Sequence, residues 1–241
     1  MKRELVEAVK PQQYFERVPA PAVQTDEGTR DMGALAPFLI SGGTNTERYY
    51  FTHINDTTDY KFNIRPRYFA GESNYTTEFT NRIREILKNN ADAKIYCVFD
   101  WDTIFNDAIK IEKHKTFERR FQKEIDNGRV VICPTMPCIE YWFLLHFVNT
   151  TKLMKTYSEV ANVLGPYIKD CFSEEAQSVA MKKLLKKEEY LKPADWVKRL
   201  CADGKLEAAI RRAEENITKA EGEGGLNNQS YSYVYRLFRD R

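Results

Sequence analysis

The stretch "KIYCVFDWDT", residues 94–103, decides the fold class, because an apolar run ends there in two acidic residues, Asp100 and Asp102. The run 93–99 has the composition of a buried strand. Residues two apart in an extended segment point to the same side, so the two carboxylates should face one way and Trp101 the other. Two carboxylates about 4 Å apart repel each other by about 1 kcal/mol in water and about 4 kcal/mol at an effective dielectric of 20. Either a divalent cation relieves that repulsion, or Asp102 caps the following helix and Asp100 is solvated.

Outward from this stretch, segments with strand character alternate with segments of helical periodicity. We predict strands at 35–41, 61–69, 93–99 and 129–133, and helices at 44–56, 75–90, about 104–127 and about 137–149. This alternation is typical of an α/β domain whose mainly parallel sheet is flanked by helices.

Three parts of the chain differ in pattern. Residues 1–34 mix proline, glycine and polar residues without periodicity and are predicted to form an N-terminal arm. Residues 35–150 form the predicted α/β core. Residues 151–241 are predicted to form a helical C-terminal subdomain, in which 205–221 has apolar residues on one helix face.

Composition excludes several classes of protein. The 241 residues are 42% apolar and 30% charged, which is ordinary for a soluble globular protein, and the net charge of +2 does not by itself indicate nucleic-acid binding. No apolar run is long enough to cross a bilayer and the N-terminus lacks a signal peptide, so we expect a cytoplasmic protein without a membrane partner. The five cysteines contain no C-x-x-C pair, which argues against a zinc ribbon or a disulfide framework.

Lysine and arginine are concentrated in the C-terminal part of the chain, at 181–200 and 210–215. Acidic residues are mixed among them. Two interpretations remain open for these segments: a solvated helix face, or a patch that contacts phosphate.

A second cluster of interest is "SGGTNTE", residues 41–47, between a predicted strand and a predicted helix. Gly42, Gly43 and Thr44 would offer backbone N–H groups and a helix dipole to an anion such as phosphate. The stretch has neither the Walker A pattern nor G-x-G-x-x-G. Thr44 and Glu47 also have the spacing of a capping box, which would give Glu47 a purely structural role.

The third cluster is "PTMPCIE", residues 134–140, which leads into a helix that Glu140 begins. Ligand sites of parallel sheets lie beyond the carboxyl ends of the strands, where all three clusters are predicted to be. The helix dipole alone favours an acid in the first turn, so Glu140 also has a structural explanation. His146 lies about 120° around the helix from Glu140, and we interpret it as a buried core histidine rather than a joint metal ligand.

The order of these clusters resembles the RloB family of phage-defence proteins, whose core is similar to the Toprim domain of topoisomerases, primases and nucleases. The stretches that carry the resemblance are "SGGTNTERYYF" (41–51), "DWD" (100–102) and "TMPCIEYWFLLHF" (135–147). The third is the longest and most unusual of these matches. One departure stands out: Gly42 occupies the position where the family pattern has the Toprim glutamate.

The resemblance implies hydrolysis of phosphodiester bonds in nucleic acid, with RNA favoured over DNA and with Mg²⁺ or Mn²⁺ as cofactor. Asp100 and Asp102 would hold the metal, the loop 42–44 would face phosphate, and Glu47 or Glu140 would orient water or a second ion. The glutamate that Gly42 replaces is the expected general acid/base, a type of group that contributes about 10²- to 10⁴-fold to rate.

Two other functions stay open. The chain could be an inactive Toprim-like module that binds nucleic acid or a protein partner, including another copy of itself. It could also be a phosphatase similar to the haloacid dehalogenases, because "VFDWDTIF" (98–105) resembles their D-x-D-G-T motif. Thr103 and Ile104 replace Gly-Thr of that motif, which makes this the weaker match.

Overall fold

The protein is described by a computed structural model that covers residues 36–43, 45–65 and 75–239. The strands in these ranges form one sheet in the order β2-β1-β3-β4-β5. They are β1 (Phe38–Ser41), β2 (Asn63–Arg65), β3 (Ile95–Asp100), β4 (Val130–Met136) and β5 (Tyr231–Ser232).

Strands β1 to β4 run parallel to one another, and β5 pairs antiparallel with β4. Ser41 lies opposite Val98, and Asp100 lies opposite Thr135. This register brings the carboxyl ends of β1, β3 and β4 to the same edge of the sheet. The predicted α/β fold with a mainly parallel, helix-flanked sheet is therefore confirmed.

Helices connect the strands and make up most of the C-terminal part. They are α1 (Thr46–Thr57), α2 (Tyr75–Asn89), α3 (Ala108–Arg120), α4 (Gln122–Asp126), α5 (Ile139–Leu145), α6 (Tyr157–Ile168), α7 (Glu174–Gln177), α8 (Met181–Leu184), α9 (Glu188–Leu191), α10 (Asp195–Cys201), α11 (Lys205–Gly222) and α12 (Arg236–Arg239), with a 3₁₀ turn at Lys169–Cys171.

The segment predicted as one polar helix over 104–127 is two helices. Asp107 caps α3 by accepting hydrogen bonds from the N–H groups of Ile109 and Lys110, both at 3.0 Å. The chain then leaves helical geometry at Phe121, whose ring is buried in the core beneath the sheet. Burial of this ring outweighs the helical propensity of the polar residues around it.

The mostly helical part after residue 150 also contains a strand, since β5 joins the sheet before α12. The Thr135 and Ser232 hydroxyls are 2.9 Å apart across this pairing. Strand β4 also continues past its predicted end at Cys133, because the carbonyl of Pro134 accepts a hydrogen bond from the N–H of Tyr233 at 3.0 Å.

Each face of the sheet covers its own apolar core. Ile40, Cys97 and Phe99 belong to the smaller core, which α2 and α3 complete. The larger core on the other face combines strand residues with residues from both sides of residue 150, among them Leu39, Tyr96, Val98, Trp142, Trp196, Leu206 and Phe238. The division at residue 150 stays a prediction, and the predicted arm, 1–34, lies outside the described residues.

Two further expectations from composition concern membrane-spanning helices and the cysteines. None of the helices in the described ranges is long and apolar enough to cross a membrane. All five cysteines are free thiols, of which only Cys201 is partly exposed.

Candidate carboxylate site at the edge of the sheet

Four acidic side chains gather where the parallel strands end. Asp100 is the last residue of β3, and Asp102 lies in the turn that follows it. Glu47 lies in the first turn of α1, after β1, and Glu140 in the first turn of α5, after β4. Besides burial, the charge of Glu140 raises the pKa values of Glu47, Asp100 and Asp102, so the three sequence clusters form one site.

Asp100 is partly buried at the end of β3. Its Oδ1 accepts a hydrogen bond from the N–H of Ile139 at 2.8 Å. Because Cys138, the N-cap residue of α5, makes no side-chain capping bond, Asp100 supplies this cap from another strand. Burial raises the pKa of Asp100 well above its usual range, and the charges of Glu47, Glu140 and then Asp102 raise it further. Asp100 is therefore only partly solvated, with one carboxylate oxygen bonded to the start of α5.

Asp102 does not cap a helix, since Asp107 caps α3. The backbone N–H of Asp102 donates to the carbonyl of Pro137 at 3.0 Å, which ties the turn after β3 to the start of α5. The expected extended geometry ends at Asp100, so Asp102 reaches the site from a turn rather than from the strand. Burial and the charge of Glu140 raise the pKa of its carboxyl group.

Glu47 is 5% exposed. Burial first, and then the charge of Glu140, raise its pKa from 4.5 to about 7. Helix α1 begins at Thr46 with Asn45 as its N-cap residue, so Glu47 lies in its first turn. The capping box of Thr44 and Glu47 stays a prediction, because Thr44 lies outside the described residues.

Glu140 is 1% exposed, and neither of its carboxylate oxygens has a hydrogen-bond partner of normal geometry among the described residues. Buried carboxylates are normally paired or hydrogen-bonded. The Nζ of Lys186 lies 3.6 Å from Oε1 and forms an ion pair with it. The neighbouring Cys138 thiol is a weak donor; burial and then the charge of Glu140 raise its pKa well above the usual range.

The glycine loop offers little to a phosphate. The N–H of Gly42 donates to the carbonyl of Val98 at 2.9 Å, and the N–H of Gly43 donates to the Ser41 hydroxyl at 3.3 Å. Gly43 also packs directly against Glu47, since a Cβ at position 43 would lie 1.1 Å from Oε2. Phosphate binding by Gly42, Gly43 and Thr44 stays a prediction, but the amides of the two glycines are already engaged.

His146 lies just past the end of α5 and is buried. Its Nδ1 donates to the carbonyl of Trp142 at 3.0 Å, because a carbonyl can only accept. Burial lowers its pKa to about 3. It is therefore a neutral core histidine, as interpreted from the sequence.

Sequence reasoning did not single out Lys186 as a site residue. It lies between α8 and α9, inside the basic segment 181–200, for which both a solvated face and a phosphate patch remained open. Burial lowers its pKa, but the charges of Glu140, Cys138, Asp100 and Glu47 outweigh this and raise it overall. The only signal in the sequence was the density of lysines in "MKKLLKKEE".

The side chains of the site determine which metal ions could bind there. Within the described ranges, no group of three or more His, Cys, Asp or Glu side chains is arranged to hold one. Mg²⁺ takes one or two carboxylates and keeps several waters, so a pair of these acids suits it, and it does not require a closed protein cage. Zinc, which prefers nitrogen and sulfur ligands, does not fit.

The fold and these acids define an α/β protein with a buried carboxylate cluster at the carboxyl edge of a parallel sheet. A family model described as RloB-like protein matches residues 38–240, so the chain belongs to that family. Comparison with curated proteins and with solved structures found no match.

Proposed function

We propose that this protein hydrolyses phosphodiester bonds of nucleic acid, RNA in preference to DNA, with the help of Mg²⁺ or Mn²⁺. The observation that carries the proposal is the meeting of Glu47, Asp100, Asp102 and Glu140 at one sheet edge, where the oxygens of Glu140 accept no hydrogen bond of normal geometry from the described residues. Bringing four carboxyl groups together, with Glu47 and Glu140 buried, costs free energy, which a bound cation would offset.

Asp100 and Asp102 are the residues that would hold the ion. When bound, a divalent cation polarises a phosphoryl oxygen and lowers the pKa of a coordinated water. Glu47, with a pKa of about 7, is suited to accept a proton from an attacking water near neutral pH. In this role it takes the place of the glutamate that Gly42 replaces in the family pattern.

The double variant Asp100→Asn, Asp102→Asn tests the proposal. We expect it to lose Mg²⁺-dependent cleavage of fluorescently labelled single-stranded RNA by at least about 10²-fold, because its ion ligands would be neutral. Cleavage is followed on gels with Mg²⁺, Mn²⁺ or EDTA, with DNA of the same sequence alongside.

Asp107→Asn is the matched control for this change. It makes the same substitution at the cap of α3, outside the site, and asparagine is an equally good N-cap residue. Its activity should equal that of the wild type. Undiminished cleavage by the double variant would contradict the role of Asp100 and Asp102 as ion ligands.

A second candidate function is binding without cleavage. Two observations favour it: Gly42 stands in place of the Toprim glutamate, and the described residues contain no three-ligand group. Calorimetric titration with Mn²⁺ discriminates between the two functions. A heat of binding that Asp100→Asn removes supports the hydrolase, whereas no binding, or binding unchanged by that substitution, supports the module that only binds nucleic acid or protein.

Because the chain resembles phage-defence proteins, we also propose that it acts in phage defence in the cell. Expression of the wild-type protein in a phage-sensitive bacterium should reduce plaque numbers relative to the Asp100→Asn, Asp102→Asn variant at equal expression. Equal plaque numbers across a panel of phages would count against a role in defence.

A further inference from the structure

The carboxylate site needs a group that attracts the substrate. Nucleic-acid phosphates are anions, and Glu47, Asp100, Asp102 and Glu140 would repel them. The glycine amides that might have bound phosphate are engaged with Val98 and Ser41. Beside the cation, a positively charged group from another part of the chain would therefore favour binding of the substrate.

Lys186 has the position that such a group requires. Its Nζ lies 3.6 Å from Oε1 of Glu140, and its side chain is 54% exposed whereas Glu140 is buried. The ammonium group thus lies beside Glu140 on a side chain that solvent, and a ligand, can reach. The Tyr157 ring, whose centroid is 4.5 Å from Nζ, contributes a cation–π contact that further orients it.

The backbone around Lys186 is fixed to the helix that carries Glu47. The Thr46 hydroxyl donates to the carbonyl of Leu185 at 2.6 Å, and the side-chain amide of Asn45 donates to the carbonyl of Lys186 at 3.3 Å. The Tyr49 hydroxyl donates to Oε1 of Glu188 at 2.5 Å. The first turn of α1 therefore sets the place of Lys186 as well as that of Glu47.

We propose that Lys186 is a substrate-binding residue of this site and that its ammonium group contacts a phosphate of the nucleic acid beside the carboxylates. The inference rests on the proposed function and names the group that holds its substrate. Lys186 makes a charge-assisted contact with the phosphate, while the acids and the cation act on the bond to be broken.

The test measures binding of a fluorescein-labelled, mixed-sequence single-stranded RNA by anisotropy, with Mg²⁺ present and in the Asp100→Asn background to suppress cleavage. Lys186→Met should weaken binding about tenfold, as expected for loss of a charged hydrogen bond. It should also lower the slope of log K against log salt by about 0.7, the value for one phosphate contact on a single strand. Lys186→Arg should retain most of the affinity, because arginine also binds phosphate.

Lys187→Met is the matched control. Lys187 is the next residue in the chain, but it pairs with Glu189, with Nζ 3.1 Å from Oε1, on the exposed surface. Its loss should leave both affinity and salt slope unchanged. Circular dichroism melting of each variant checks that the fold is retained.

The outcomes separate this inference from the proposed function. If the Asp100→Asn protein binds RNA and Lys186→Met leaves affinity and salt slope as Lys187→Met does, Lys186 is only a counter-ion of Glu140 and the inference falls. If the wild-type protein cleaves neither RNA nor DNA and the Asp100→Asn protein binds neither, the proposed function falls, and this role of Lys186 with it.

Discussion

Gly43 and Glu47 are in direct contact, and this contact requires glycine at position 43. A Cβ there would lie 1.1 Å from Oε2 of Glu47, so Gly43→Ala must push the carboxyl group aside. The displaced atoms are the end of a flexible side chain, so we expect little loss of stability. Cleavage should fall by roughly 10²-fold if Glu47 is the proton acceptor. Parallel measurements of thermal melting and cleavage rate check both expectations.

Gly42→Ala provides the comparison. A Cβ at position 42 would lie 3.4 Å from the Cβ of Phe99, an ordinary close contact that points away from Glu47. This variant should melt and cleave almost as the wild type does. If Gly42→Ala and Gly43→Ala had equal effects on the cleavage rate, the position of the Glu47 carboxyl group would not matter for activity.

The raised pKa of Glu47 makes stability depend on pH. Between pH 4.5 and about 7 the folded protein keeps the Glu47 proton while the unfolded chain has lost it. The free energy of unfolding should therefore fall as pH rises through this window, by at most about 1.4 kcal/mol per pH unit from this group. Asp100, whose pKa is also raised, acts in the same direction. Urea unfolding at closely spaced pH values measures the slope.

Glu47→Gln isolates the contribution of Glu47 to that slope. The variant should show a flatter decline between pH 4.5 and 7 and should be more stable than the wild type at pH 8, where the wild-type carboxylate is ionised. Parallel pH profiles for the two proteins would contradict the raised pKa of Glu47.

At the scale of single residues, the sequence indicated two of the site residues by their position after a predicted strand. Asp100 and Glu140 were identified because each follows a predicted strand of a parallel sheet, and the fold brings both to one edge. The engaged amides of Gly42 and Gly43 were not predictable, since they depend on how β1 pairs with β3 and where the Ser41 hydroxyl points. Lys186 was missed because helix packing far along the chain brings it to the site.

At the scale of elements, the segment 185–188 between α8 and α9 depends on its attachment to α1. Thr46→Val removes the hydroxyl that donates to the carbonyl of Leu185 and leaves that buried carbonyl without this donor. Such a loss costs about 1–3 kcal/mol. We expect amide hydrogen exchange to accelerate across residues 183–190 and to change little in β3 and β4. Exchange followed by mass spectrometry resolves these peptides.

Thr57→Val is the control for this experiment. The Thr57 hydroxyl donates to the carbonyl of His53 at 2.7 Å within α1, so its removal breaks no contact between elements. Exchange in 183–190 should stay at the wild-type rate. Acceleration of the same size in both variants would mean that α1 stability, rather than the Thr46 contact, holds the segment.

The alternation of strands and helices was predictable because period and composition are local properties. The errors arose where a distant residue decides the local structure. Phe121 ends a helix because its ring is buried beneath the sheet, and Pro134 lies within β4 because Tyr233 bonds to its carbonyl. A single sequence does not show which distant segment will meet which strand.

At the scale of the whole molecule, a single large core links the two halves that the sequence separates at residue 150. Trp142 of α5 stacks on Phe238 of α12 with ring centroids 5.7 Å apart, and Phe143 packs edge-on against Trp196 of α10. The change of pattern after residue 150 correctly indicated mostly helices. Hydrophobic periodicity indicates which face of a helix is buried, but not the surface that covers it.

This shared core leads to a test by truncation. A fragment of residues 35–150 would expose Trp142 and Phe143 and lose β5, so we expect it to unfold without cooperativity or to aggregate. The matched chain of residues 35–241 removes only the predicted arm and keeps every contact described above, so it should unfold in one cooperative transition. Urea titration monitored by tryptophan fluorescence distinguishes the two. A fragment 35–150 that unfolds cooperatively would establish an independent α/β domain, with the helical part packed on it as a separate unit.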